Sequence, residues 1–104
     1  MADHDIGLAF PPPHPGAYLR DIKTEMGMTV DQLAKHLGVK RAALSDLINE
    51  KKRVSLEMAI RLGQAFKNGA RFWYALQAQY DLWHEERNTQ IRVEPLDWDD
   101  GEVA

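Results

Sequence analysis

Cysteine is absent from the chain. That excludes disulfides, thiolate-held zinc and a cysteine nucleophile, and fits a reducing compartment. Long apolar runs are missing too. No stretch is long enough to span a bilayer and no charged-then-apolar leader opens the chain, so a soluble, cytoplasmic protein with no membrane partner is expected. Serine is scarce: Ser45 and Ser55 are the only two, and a helix motif or a cap accounts for each. The histidines His4, His14, His36 and His84 never fall three or four residues apart. His84-Glu85-Glu86 lacks the second histidine of a zinc-protease helix. Paired acids such as Asp99-Asp100 lie in a tail without a rigid scaffold. The sequence offers no catalytic residue, metal site or cofactor motif, so an enzyme is the least supported class.

A surplus of positive charge is missing as well. The net charge of −3, taken whole, argues against a nucleic-acid partner, but the distribution of charge argues for one. Residues 34–71 hold nine basic side chains against three acidic ones, a net of +6, whereas residues 72–104 carry a net of −6. Such asymmetry fits a nucleic-acid face followed by an acidic tail.

What is present centres on residues 30–49, VDQLAKHLGVKRAALSDLIN. Leu33 and Leu37 share one helical face; Leu44, Leu47 and Ile48 share another. Gly38 lies between the two sets, where a helix exit through left-handed angles favours glycine. Ala34 is small, as a close helix crossing requires. Two short helices joined by a glycine-containing turn form a helix-turn-helix, and this one resembles that of phage-repressor-like regulators. Two packed helices with no DNA role would share the apolar pattern, but not the basic charge around it. In this motif the N-terminal residues of the second helix meet base edges, which places Lys40, Arg41, Ala42, Ser45 and Asp46 at double-stranded DNA. Arg41 suits guanine, since its planar fork can donate twice, and Ala42 suits a thymine methyl. Asp46 could instead orient Arg41 or a lysine. Thr29, Lys35, Asn49, Lys51, Lys52 and Arg53 are the phosphate candidates.

The flanking sequence predicts three more helices. Pro15 suits a first turn, opening a helix over residues 15–26 with Leu19, Ile22 and Met26 inward. Thr29 with Gln32 forms a capping box. The third helix, over residues 40–48, lacks a side-chain cap, and Asn49 suits a left-handed exit. Ser55 caps a fourth helix over residues 55–66, with Leu56, Ala59, Leu62 and Phe66 inward. The last helix, over residues 70–87, carries Phe72, Leu76, Tyr80 and Trp83 in one stripe, widened by Trp73 and Leu82. Because helix-turn-helix proteins read two half-sites as two-fold dimers, Trp73, Leu76, Tyr80 and Trp83 are candidates for a homodimer interface. The expected fold class is all-α: a five-helix, phage-repressor-like helix-turn-helix domain over residues 15–88. An extended N-terminal arm over residues 1–14, stiffened by Pro11-Pro12-Pro13, precedes it. An acidic C-terminal tail over residues 89–104 follows, where Ile91 and Val93 alternate with polar residues as in a short strand.

Three stretches outside the motif resemble one family: His14-Pro15-Gly16, Ala59-Ile60-Arg61-Leu62, and Arg71-Phe72-Trp73-Tyr74-Ala75-Leu76-Gln77 followed by Tyr80-Asp81-Leu82. Together they are similar to the HigA-type antitoxins, also described as virulence-associated-protein-I-like addiction-module antidotes. The resemblance implies an all-helical dimer that represses its own operon and neutralises a small partner toxin, a HigB-type mRNA endonuclease. Glu50 departs from the family, which often has Gly there. Two acidic segments could cover a basic RNA-binding groove: the N-terminal arm, with Asp3, Asp5 and the apolar anchors Ile6, Leu8 and Phe10, and the C-terminal tail. A stand-alone repressor without a toxin partner would present the same DNA face.

Overall fold

Side-chain caps open three of the helices of this chain, whose computed structural model describes residues 10–98. The elements are α1 (Pro15–Glu25), α2 (Val30–Leu37), α3 (Arg41–Ile48), α4 (Leu56–Phe66) and α5 (Ala70–Asn88). His14 is the N-cap of α1 and Pro15 its first residue. The His14 Nδ1 accepts a hydrogen bond from the Gly16 N–H at 2.8 Å. Thr29 and Gln32 form the complete capping box at α2, and Ser55 Oγ accepts from the Met58 N–H at α4. α3 begins at Arg41, one residue later than predicted; Lys40 is its N-cap and, as the sequence predicted, supplies no side-chain cap.

The all-α fold joins α1, α2 and α3 around Leu19, Leu33, Leu37, Leu44 and Leu47, all buried. Ala34 is buried with them. α4 and α5 add Ala59, Leu62 and Trp73. Trp73 has no exposed surface; its indole N–H donates to Asn68 Oδ1 at 2.8 Å, and Tyr18, Phe66 and Phe72 ring it. Burying a large apolar side chain stabilises by about 1.5–3 kcal/mol, so Trp73 anchors α5 to the rest.

Gly16 marks where α1 meets α3. A Cβ there would lie 1.8 Å from the Leu47 carbonyl oxygen. The His14-Pro15-Gly16 triplet therefore has one physical meaning: a cap, a first-turn proline and a residue small enough to touch α3.

Several expectations are corrected. Met26 is 57% exposed, because α1 ends at Glu25 and the chain turns away through Gly27. Leu56 is 66% exposed, at the margin of an α4 face centred on Ala59, Leu62 and Gly63. The buried face of α5 runs through Trp73 and Gln77, rotated from the aromatic stripe. Asn49 is not left-handed (φ −86°); Glu50 is, at φ 63°. Residues 89–98 form no strand, with Ile91 and Val93 exposed and unpaired to any ladder among the described residues. His14 leaves the predicted arm and is buried within the domain. The arm residues Asp3, Asp5, Ile6 and Leu8, and the tail acids Asp99, Asp100 and Glu102, lie outside the described residues.

Candidate nucleic-acid interface

α3 buries Leu44, Leu47 and Ile48, which leaves Arg41, Ala42, Ser45 and Asn49 on one outward face, since residues three and four apart are helical neighbours. Arg41, Ala42 and Asn49 are exposed and Ser45 is half-buried. Asn49 Nδ2 donates to Ser45 Oγ at 3.4 Å. Lys40 and Lys35 are exposed. Asp46 is half-buried and shares a surface depression with Lys52 and Arg53. It does not hold Arg41. Asp31 does, from the first turn of α2, with Oδ1 2.6 Å from Arg41 Nε.

The turn before α3 is fixed from α4. Arg61 donates to the Leu37 carbonyl at 2.7 Å and pairs with Glu57 at 2.9 Å. A cation here satisfies carbonyls that the end of α2 leaves unpaired and complements its dipole. Gly38 leaves α2 at φ 74°, as the sequence predicted.

The end of α3 is fixed from α1. Arg20 donates to the Ile48 carbonyl at 2.9 Å and pairs with Glu50 at 3.1 Å. The basic loop that follows, Lys51, Lys52 and Arg53, is exposed, and α5 holds its far end. Gln77 Oε1 accepts from the Val54 N–H at 2.7 Å. Gln77 Nε2 donates to Asp81 Oδ1 at 2.9 Å, and Asp81 Oδ2 pairs with Arg53. Of the phosphate candidates, Arg53 is thus already engaged, and the Thr29 hydroxyl is engaged as a cap.

Burial alone would push the Asp81 carboxyl up, but the hydrogen bonds from Arg53 and Gln77 prevail and hold it below the usual carboxylate range. His14 lies nearby, its ring edge-on to Tyr80 at 4.8 Å. Burial lowers its pKa, opposed by the negative charges of Glu50 and Asp81 and by a hydrogen bond to the Lys52 backbone.

Sequence reasoning gave no role to Asp31, Arg20 or Gln77. Gln77 carried a signal: a polar residue one helical turn from both Trp73 and Asp81, inside an apolar stripe. The predicted dimer candidates divide. Trp73 is core, while Leu76, Tyr80 and Trp83 are half-buried, and the outward side of α5 shows Tyr74 and Leu82, at 44% and 59% exposure. Among the described residues, no group of histidines and acids could hold a metal ion, and no helix is long and apolar enough to cross a membrane.

Residues 19–72 match the helix-turn-helix family model HTH_3. Virulence-associated protein A' of Dichelobacter nodosus is 47% identical over 72 residues, covering 68% of this chain and 63% of that one. This chain thus spans less than two thirds of that relative. Virulence-associated protein A of the same organism is 37% identical, covering 82% of this chain and 85% of that one. Among solved structures, Pseudomonas aeruginosa antitoxin HigA with the higBA promoter superposes with a TM-score of 0.73 at 36% identity, covering 82% of this chain and 98% of that one.

Proposed function

The chain belongs to the helix-turn-helix family that holds the HigA antitoxins and the virulence-associated proteins, and on that premise we propose that it is the antitoxin of a type II toxin–antitoxin module. In this reading it binds operator DNA through α3, represses its own operon as a homodimer and silences a HigB-type mRNA endonuclease. It acts in the cytoplasm, as a binding protein and not as an enzyme. The observation that carries the reading is the start of α3. Lys40 and Arg41 stand exposed at an uncapped helix N-terminus, in a chain 36% identical to an antitoxin solved with its promoter.

Lys40, Arg41, Ala42 and Ser45 are the base-edge residues of this proposal, and Asp46 serves the loop rather than a base. Lys35, Asn49, Lys51 and Lys52 are its phosphate contacts, with Thr29 and Arg53 contributing from positions their own partners already fix. Two-fold pairing sets two recognition helices about 34 Å apart, one turn of DNA. The side of α5 that carries Leu76, Tyr80 and Trp83, three and four residues apart, supplies the pairing surface, and Trp73 is left to the core.

The test has two arms. Fluorescence anisotropy with DNA from upstream of the gene measures operator binding. Arg41→Ala is expected to lose about 1–3 kcal/mol and relax preference at one base step, and binding equal to wild type overturns the DNA reading. Co-expression with the adjacent small gene measures neutralisation. Failure both to co-purify with its product and to rescue growth from it replaces the antitoxin by a stand-alone repressor.

A further inference from the structure

Arg41 is the first residue of α3, the positive end of the helix dipole, where a cation is disfavoured and an acid favoured. The same helix start has no side-chain cap and no acidic residue in its first turn. Local rules broken together in this way concentrate at functional positions. The balancing charge comes from another helix: Asp31 of α2 places Oδ1 2.6 Å from Arg41 Nε. The two side chains are 70% and 66% exposed, and an ion pair in such a setting adds little to stability. Its consequence is geometric. A guanidinium is a rigid plane of five N–H donors. Asp31 meets the guanidinium on its Nε side as an ion pair rather than an aligned hydrogen bond, and no hydrogen bond engages the edge carrying the two Nη groups among the described residues. That edge matches the O6 and N7 acceptors of guanine in the major groove.

We propose that Asp31 is a positioning residue for base recognition: its carboxylate draws the Arg41 guanidinium to itself by charge on the Nε side, leaves the Nη edge for a guanine and so sets the preference at one base pair. This rests on the DNA-binding reading above. Asp46, the acid nearer in sequence, sits beside Lys52 and Arg53 and leaves that task to Asp31.

A carboxylate that merely stood near the DNA would act with the opposite sign. It would repel phosphates, so its removal would tighten binding to every sequence alike. The experiment separates the two. Random-sequence duplexes are selected with the full-length wild-type chain, and the consensus duplex and its single-base-pair variants are then titrated by anisotropy. Asp31→Asn and Arg41→Ala are each expected to lose discrimination at the same base pair, by about tenfold. The double variant should lose no more than either alone, and Asp31→Glu should restore part of the preference. Asp31→Ser, checked for wild-type thermal unfolding, serves if Asp31→Asn folds poorly. Unchanged discrimination in Asp31→Asn, or uniformly tighter binding to all duplexes, overturns the proposal. A wild-type chain that selects no consensus overturns the DNA-binding reading itself, and this proposal with it.

Discussion

Gln77 and Val54 are 23 residues apart in the chain, yet the Gln77 amide oxygen accepts the Val54 N–H at 2.7 Å in a buried site. Through that bond, and through Asp81 to Arg53, α5 fixes the loop that follows the proposed recognition helix. The FW-x-x-LQ-x-x-YD stretch thereby gains a structural meaning. Trp73 anchors the core, Gln77 and Asp81 hold the basic loop, and Tyr80 packs on the cap of α1.

Gln77→Leu should therefore destabilise the fold although it adds no cavity. A buried backbone donor left without a partner costs about 1–3 kcal/mol. Urea unfolding measures it, and a midpoint equal to that of wild type would show that water replaces the amide.

Glu50→Gly should stabilise. Glu50 holds φ 63°, a conformation costing a non-glycine residue roughly 1–2 kcal/mol. The exposed pair it forms with Arg20 returns only about 0–1 kcal/mol. The expected net gain is about 0.5–1 kcal/mol. Chemical denaturation of the single variant and of Arg20→Ala decides whether the strain or the pair is larger.

Gly16→Ala should be severe for so small a change. The added methyl would sit 1.8 Å from the Leu47 carbonyl oxygen, so α1 and α3 must separate, at about 1–3 kcal/mol or more. A thermal midpoint within experimental error of wild type would contradict this close approach.

Stability should fall with acidification through His14. Burial holds its folded pKa below the unfolded value, so the folded state binds fewer protons and stability drops as pH falls from about 6.5 through the folded pKa. Protonation also removes the Nδ1 acceptor that caps α1. His14→Asn keeps a capping acceptor without titrating and should flatten this dependence. Unfolding curves compared on either side of the histidine range, differing equally in both proteins, would exclude His14 as the source.

Lys52→Ala should weaken DNA binding for every sequence alike and lower the salt slope by about one unit. Anisotropy across a salt series checks it; a change confined to one sequence would place Lys52 at a base instead.

The helices, the motif and the family are legible along the chain because they rest on local chemistry. The capping box at Thr29, the Gly38 exit and the Ser55 cap are decided within a few residues, and the apolar spacing of Leu33, Leu37, Leu44 and Leu47 follows from helical period alone. Tertiary structure decided everything that joins distant segments. That Asp31 and not Asp46 meets Arg41, that Glu50 and not Asn49 turns left-handed, and that Gln77 lies inside while Leu56 lies outside all depend on how helices cross. Periodicity gives a face but not its rotation against a neighbour, so the aromatic stripe of α5 lies one position away from its buried line through Trp73 and Gln77. The residues 91–93 alternate as a strand does, but a strand needs a partner to satisfy its backbone, and among the described residues none adjoins them.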